Sequence, residues 1–192
     1  MSHRKQVKHY HEPGHLHEFT FSTYRRLPLL TNHNWREKLA WTIDTANEEY
    51  QFQLVAFVFM PEHLHLLTYP LNEKPKFGHY LGRIKQPFSK QIKEILTTNR
   101  SRLLEKLTVQ ERPGKNCFRF WQEGPGYDRN VFSKQVILHA IDYIHENPVR
   151  RYLCKRATDW KWSSARYYLN DPPRQQISGL PHIHGPPTGL LD

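Results

Sequence analysis

The sequence predicts an α+β domain: one antiparallel sheet with helices packed on one face. Three observations carry the prediction. Short segments at 17–26 and 63–69 read as strands, the first alternating apolar and polar residues, and a near-continuous apolar run fills 51–60. Longer stretches at 33–49, 76–98 and 133–147 repeat apolar residues at helical spacing. The order strand, helix, strand, strand, helix, strand, helix suits a single sheet with one covered face, leaving the other open.

Each element has its own justification. Phe19, Phe21 and Thr23 alternate with polar neighbours in the first strand, which Pro28 ends. Trp35, Leu39, Ile43 and Ala46 lie at helical spacing behind the possible caps Asn32 and Asn34. The run from Gln51 to Met60 reads as a buried strand, and the break Pro61-Glu62 joins it tightly to the next, predicting a hairpin. Phe77, Leu81, Ile84, Phe88, Ile92 and Ile95 line one side of the second helix, which Pro87 should kink or split. Residues 99–115 are polar and end in Arg112-Pro113-Gly114-Lys115, a loop or a short helix plus loop. Residues 117–122 read as the fourth strand, and Gly124-Pro125-Gly126 forces a turn. The last helix runs 133–147, with Ser133 as its cap and Pro148 stopping it at Asn147. Residues 1–14 form a polar arm, 15–170 the domain, and 171–192 a Pro-, Gly- and His-rich tail expected to be extended or disordered.

The 192 residues suit one domain, since domains commonly run ~100–200 residues. An apolar fraction of 38% supports a real core, while a mean hydropathy of -0.78 describes a wet surface. The net charge of +10, the pI of about 9.7 and an aromatic content of 13% fit a nucleic-acid partner. Cys117 and Cys154 stand far apart with no C-x-x-C, so thiolate zinc and a disulfide framework are not expected. No apolar stretch approaches the ~20 residues of a membrane helix, and the basic N-terminus lacks a signal-like apolar core. The chain reads as cytoplasmic, with no membrane partner.

Four His-x-His pairs occur among 13 histidines: His9/His11, His15/His17, His63/His65 and His182/His184. Context separates them. Only His63/His65 follows a long apolar strand and opens a second one, so a strand would aim both imidazoles the same way and offer two corners of a metal site. In the last helix, at ~100° per residue, Val136, Ile137, Ala140, Ile141 and Ile144 fill one buried arc. Tyr143 and Asn147 fall one turn apart at its edge. A phenol attacks phosphorus only where the developing charge is stabilised, and a divalent ion on a phosphate oxygen does this. Two imidazoles and one amide oxygen suit Mg²⁺ or Mn²⁺ while leaving positions open.

These residues resemble a known family. Met60-Pro61-Glu62-His63-Leu64-His65-Leu66-Leu67 is similar to the histidine-hydrophobic-histidine motif of the HUH single-tyrosine transposases. Phe120-Trp121-Gln122-Glu123, Tyr127-Asp128-Arg129-Asn130-Val131 and Ile141-Asp142-Tyr143-Ile144-His145-Glu146-Asn147-Pro148-Val149-Arg150-Arg151 resemble the branch of REP-associated tyrosine transposases, as do Trp160-Lys161-Trp162-Ser163-Ser164-Ala165 and the early Phe19–Arg26 segment. The resemblance covers roughly residues 15–168. Pro87 and Gly124-Pro125-Gly126 depart from it, and both tails lie outside it.

The resemblance implies a ferredoxin-like (RRM-like) fold. It implies that Tyr143 attacks a single-stranded DNA phosphodiester, giving a 5′-phosphotyrosine link and a free 3′-hydroxyl, with His63, His65 and Asn147 holding the metal. Tyr127 is a rival nucleophile; Tyr143 is preferred because it shares a helix face with Asn147. The implied substrates are palindromes that fold as hairpins. Arg83, Lys85, Lys90, Arg150, Arg151, Lys155 and Arg156 are the cations expected to follow a phosphate backbone. Trp160, Trp162, Tyr167 and Tyr168 are candidates to stack bases, or else to pack beneath the C-terminal segment. Competing readings are a non-catalytic nucleic-acid-binding protein on the same fold, an RNA-binding ferredoxin-like domain, and a metal-binding protein that uses its His-rich tails. Monomer and homodimer both stay open.

Overall fold

The computed structural model describes residues 11–124 and 126–190. Most of the N-terminal arm, including His9 of the first histidine pair, lies outside the described residues, as does Pro125 of the Gly-Pro-Gly turn.

Strand β1 (Leu16–Ser22) leads through two single 3-10 turns, Tyr24–Arg26 and Leu29–Thr31, into helix α1 (His33–Tyr50), where the Asn32 side chain accepts the Trp35 N–H as an N-cap. Strands β2 (Phe52–Phe59) and β3 (His63–Pro70) form the expected hairpin, and α2 (Phe77–Thr98) follows. Helix α2 runs unbroken through Pro87 rather than splitting, held by seven buried side chains from Phe77 to Leu96. Then come the short helix α3 (Arg102–Leu107), strands β4 (Thr108–Arg112) and β5 (Lys115–Phe118), strand β6 (Tyr127–Val131), helix α4 (Lys134–Arg150) and the short α5 (Ala165–Leu169).

The main sheet has the order β2-β3-β1-β6, with every neighbouring pair antiparallel. This is the ferredoxin-like arrangement. Its fourth strand is β6, not the 117–122 segment read from sequence: Lys115–Phe118 pairs with β4 in a separate two-stranded hairpin. Gly126 sets the entry to β6. Its φ is +92°, and a Cβ there would stand 2.3 Å from the Thr20 carbonyl oxygen, so only glycine lets the chain approach β1 this closely.

The pleat sorts the strand residues between two cores. Phe19, Phe21, Leu54, Phe57, Phe59, Leu64 and Leu66 face α1 and α2. Leu16, Val55, Ala56, Val58, Met60, Leu67 and Val131 face Ile137, Ala140, Ile141 and Ile144 of α4. Helices α1 and α2 share one face, as expected. The other face is not open, because α4 covers part of it.

Helix α4 differs from its expectation in two details. Pro148 does not stop it; the helix continues to Arg150, with the Arg151 N–H donating to the Asn147 carbonyl at 3.2 Å. Val136 is 40% exposed rather than in the buried stripe, and the buried face extends instead to His145 and Pro148.

Candidate functional site

β1, β3 and β6 lie side by side, and alternation sends Thr20, His63, His65, Glu18, Tyr127 and Arg129 toward the α4 face. The register places Thr20 opposite both His65 and Tyr127, and Glu18 opposite Arg129. From above, α4 supplies Val136, His139, Tyr143 and Arg150 along one side of the helix. Together these residues, without His63, line a cleft of about 720 Å³.

The paired histidines and the tyrosine meet there. The His63 and His65 rings lie 5.1 Å apart, and the Tyr143 ring stands edge-on to His65 at 5.6 Å. Asn147 Nδ2 lies 3.4 Å from His65 Nε2. A half-turn of that amide would bring its oxygen to the same position. The Arg150 guanidinium sits over the Tyr143 ring at 5.2 Å. Tyr143 is 39% exposed, while His63, His65 and Asn147 are buried.

Each imidazole is held from behind by a carboxylate, and each carboxylate by an arginine. His63 Nδ1 is 3.1 Å from Glu62 Oε1, which accepts from Arg151 at 2.7 Å. His65 Nδ1 is 3.4 Å from Glu18 Oε1 and 2.8 Å from the Thr20 hydroxyl, and Glu18 Oε2 accepts from Arg129 at 2.6 Å. An ionised carboxylate only accepts, so Nδ1 is the nitrogen that donates in each ring, and at His65 the Nε2 atom is turned to the Asn147 amide.

Burial alone would raise the Glu18 carboxyl, but the hydrogen bond from His65 and the charge of Arg129 outweigh it and hold it below the usual range. Burial of Glu62 is outweighed likewise by Arg151 and His63. Burial, with the neighbouring His65, pushes His63 down to about 4, so its ring is neutral at ordinary pH. Two imidazoles whose Nδ1 atoms are already engaged, with a third polar side chain beside them, fit a divalent ion. No group of three His, Cys, Asp or Glu side chains that could hold a metal occurs among the described residues.

The other predicted residues are placed less centrally. Arg83, Lys85 and Lys90 lie on α2, which packs on the opposite sheet face. Arg83 donates to Glu49 at 2.6 Å, and the Lys85 ammonium rests over the Phe21 ring at 4.3 Å and donates to the Gly124 carbonyl. Beyond α4, Lys155 and Arg156 are exposed, Arg156 holding Asp159. Trp162 and Tyr167 are buried, the Trp160 indole donates to the Phe59 carbonyl, and Tyr168 donates to that of Val55. Trp162 and Tyr167 belong to the core, and the part-buried Trp160 and Tyr168 pack against it.

Sequence reasoning missed Glu18, Thr20, Glu62, Arg129 and His139. A faint signal existed for Glu18 and Thr20, polar positions alternating with Phe19 and Phe21, and for Glu62, next to the pair. Which strands neighbour β1 was the missing information.

A ferredoxin-like sheet whose paired histidines face a tyrosine on an overlying helix is the architecture the resemblance implied for a single-tyrosine DNA transposase. The chain belongs to the IS200-like transposase family, whose model matches residues 14–147. It is similar to a Haemophilus influenzae protein named as a REP-associated tyrosine transposase, 27% identical over 118 residues, which span 61% of each chain. Its fold matches a solved REP-associated tyrosine transposase bound to a REP hairpin, with a TM-score of 0.65 at 20% identity, covering 93% of this chain and 98% of that one.

Proposed function

We propose that this protein cleaves and rejoins single-stranded DNA that folds into hairpins, through a covalent link between Tyr143 and a 5′-phosphate. One observation carries the reading. A tyrosine and an asparagine from α4 meet two imidazoles from β3, about eighty residues earlier, in an open cleft of a strongly basic protein. The family membership and the REP hairpin bound to the solved relative favour the same substrate class.

The Tyr143 oxygen attacks the scissile phosphorus. The bond from phosphorus to the 3′-oxygen breaks, and that oxygen leaves as a 3′-hydroxyl after taking a proton. In the reverse direction a 3′-hydroxyl attacks the phosphotyrosine, restores the diester and returns the phenol. His63, His65 and Asn147 would hold Mg²⁺ or Mn²⁺, which supplies Lewis-acid neutralisation of the phosphate charge when bound. Arg150 stands over the phenol ring, where it stabilises a developing phenolate and attracts the phosphate. Arg150 and Arg151 are the cations nearest the reaction; Lys155 and Arg156 extend the positive strip beyond the helix.

Tyr127 also lines the cleft, on the strand opposite Thr20, and is 58% exposed. It lacks the contacts with His65 and Arg150 that Tyr143 has, which favours Tyr143 as the nucleophile. The test is denaturing electrophoresis after incubation with a single-stranded hairpin and Mn²⁺. Wild type and Tyr127→Phe form a covalent adduct; Tyr143→Phe forms none while still binding DNA. An adduct in Tyr143→Phe removes Tyr143 from the role. DNA binding by the wild type without any adduct favours a non-catalytic binding protein on the same fold.

A further inference from the structure

We propose that Tyr152 is a stacking platform for an unpaired nucleobase of the strand that Tyr143 attacks. The inference rests on the reading of Tyr143 above and adds a site beside it. Helix α4 closes with the Tyr152 N–H donating to the Val149 carbonyl and the Leu153 N–H donating to that of Pro148, both at 2.9 Å. This is a Schellman motif, and its left-handed position normally holds glycine because a Cβ is strained there. Here it holds a tyrosine at φ +57°.

Among the described residues no side-chain contact of Tyr152 offsets that strain. The Tyr152 side chain is 95% exposed and makes no hydrogen bond or ring contact among the described residues. The aromatics expected to stack bases, Trp160, Trp162, Tyr167 and Tyr168, are all engaged in packing. Tyr152 is the aromatic beyond α4 that keeps its ring in solvent.

Its surroundings fit a nucleic acid. Arg150 reaches back over Tyr143, Arg151 reaches Glu62 beside His63, and Lys155 and Arg156 follow within four residues. The platform stands roughly 10–13 Å along the helix axis from Tyr143, a short reach along one strand. A cationic strip positions a phosphate backbone, and a rigid ring beside it takes a base regardless of sequence. An exposed Tyr152-Leu153 pair also suits a protein contact, but the basic flank favours DNA.

The experiment compares wild type, Tyr152→Gly and Tyr152→Trp at one fixed salt concentration. The probes are a hairpin with an unpaired flank carrying 2-aminopurine and the same hairpin with a blunt end. Because glycine relieves the backbone, Tyr152→Gly should raise Tm by about 2–4 °C. The same variant should bind the flanked hairpin about 5- to 100-fold more weakly, leave the blunt hairpin within about twofold and lose 2-aminopurine quenching. Tyr152→Trp should keep both affinity and quenching. Equal binding of the flanked hairpin by Tyr152→Gly and wild type overturns the proposal. So does equal weakening of both probes, or a dimer that Tyr152→Gly dissociates. If the wild type forms its adduct and Tyr152→Gly binds normally, only Tyr152 loses its role; if the wild type neither binds nor forms an adduct, the reading of Tyr143 falls as well.

Discussion

At the scale of single residues, the proposed metal site depends on which nitrogen of each histidine is turned to the ion. Glu62 and Glu18 fix that choice by accepting from Nδ1, and Arg151 and Arg129 keep both carboxylates ionised. Replacing Glu62 or Glu18 by Gln keeps the shape but lets the amide present either a donor or an acceptor to the ring. The correct tautomer is then no longer enforced. Mn²⁺ affinity measured calorimetrically should fall about 10- to 100-fold in either variant, with little change in Tm. Unchanged affinity in both would show that the carboxylates do not position the rings.

A third histidine acts on stability. His145 is 3% exposed, lies 2.8 Å from the Ser164 hydroxyl, and burial pushes its pKa down to about 4. Its unfolded value is near 6.5. Between these two values the unfolded chain binds the proton and the folded chain does not, so stability falls as pH drops from about 6.5 toward 4. At full extent this group contributes on the order of 3 kcal/mol of acid sensitivity. Urea titrations at pH 7 and pH 5 should show the loss, and His145→Gln should show a flatter profile.

At the scale of elements, the decisive placement is β6 against β1, and Gly126 permits it. Gly126→Ala would drive a methyl into the Thr20 carbonyl and demand an unfavourable φ. A destabilisation of about 2–4 kcal/mol is expected, together with loss of adduct formation, because Thr20, Glu18 and Arg129 share that pairing. Both are checked by chemical denaturation and gel assay.

The same strand marks where the sequence stopped being legible. β1, α1, β2, β3 and α2 were readable because period-2 and period-3.6 patterns are strong in buried elements. β6 was not: Tyr127-Asp128-Arg129-Asn130-Val131 is an edge strand with polar side chains facing the cleft. The Cys117–Gln122 segment looked more strand-like because Phe120 and Trp121 enter the α1/α2 core. In α4 the angular positions of Tyr143 and Asn147 were legible, since geometry on one helix needs no partner. Val136 was misplaced because the helix covers only part of the sheet, leaving one apolar flank over the cleft. The Glu18 and Glu62 contacts needed strand neighbours that no local pattern encodes.

At the scale of the whole molecule, β2 is an edge strand of the sheet, and an unpaired edge invites association. The C-terminal third closes it. Phe59 N–H donates to the Trp162 carbonyl, Ser164 bonds Phe57 in both directions, and His184 N–H donates to the Leu54 carbonyl. The tail is thus without regular structure yet partly packed: Ile183 is 4% exposed, and His182 N–H donates to Asp44. The His182 and His184 rings lie 4.8 Å apart on this seam, beside residues of α1 and β2 such as Asp44 and Phe52. None of the cleft residues comes from 171–192. A chain ending at Asn170 should therefore show a lower Tm and concentration-dependent association by light scattering, since part of the β2 edge is bared. It should still bind one Mn²⁺ per chain and form the Tyr143 adduct. Loss of that Mn²⁺ while the shortened chain stays folded would move the metal from β3 to the tail histidines.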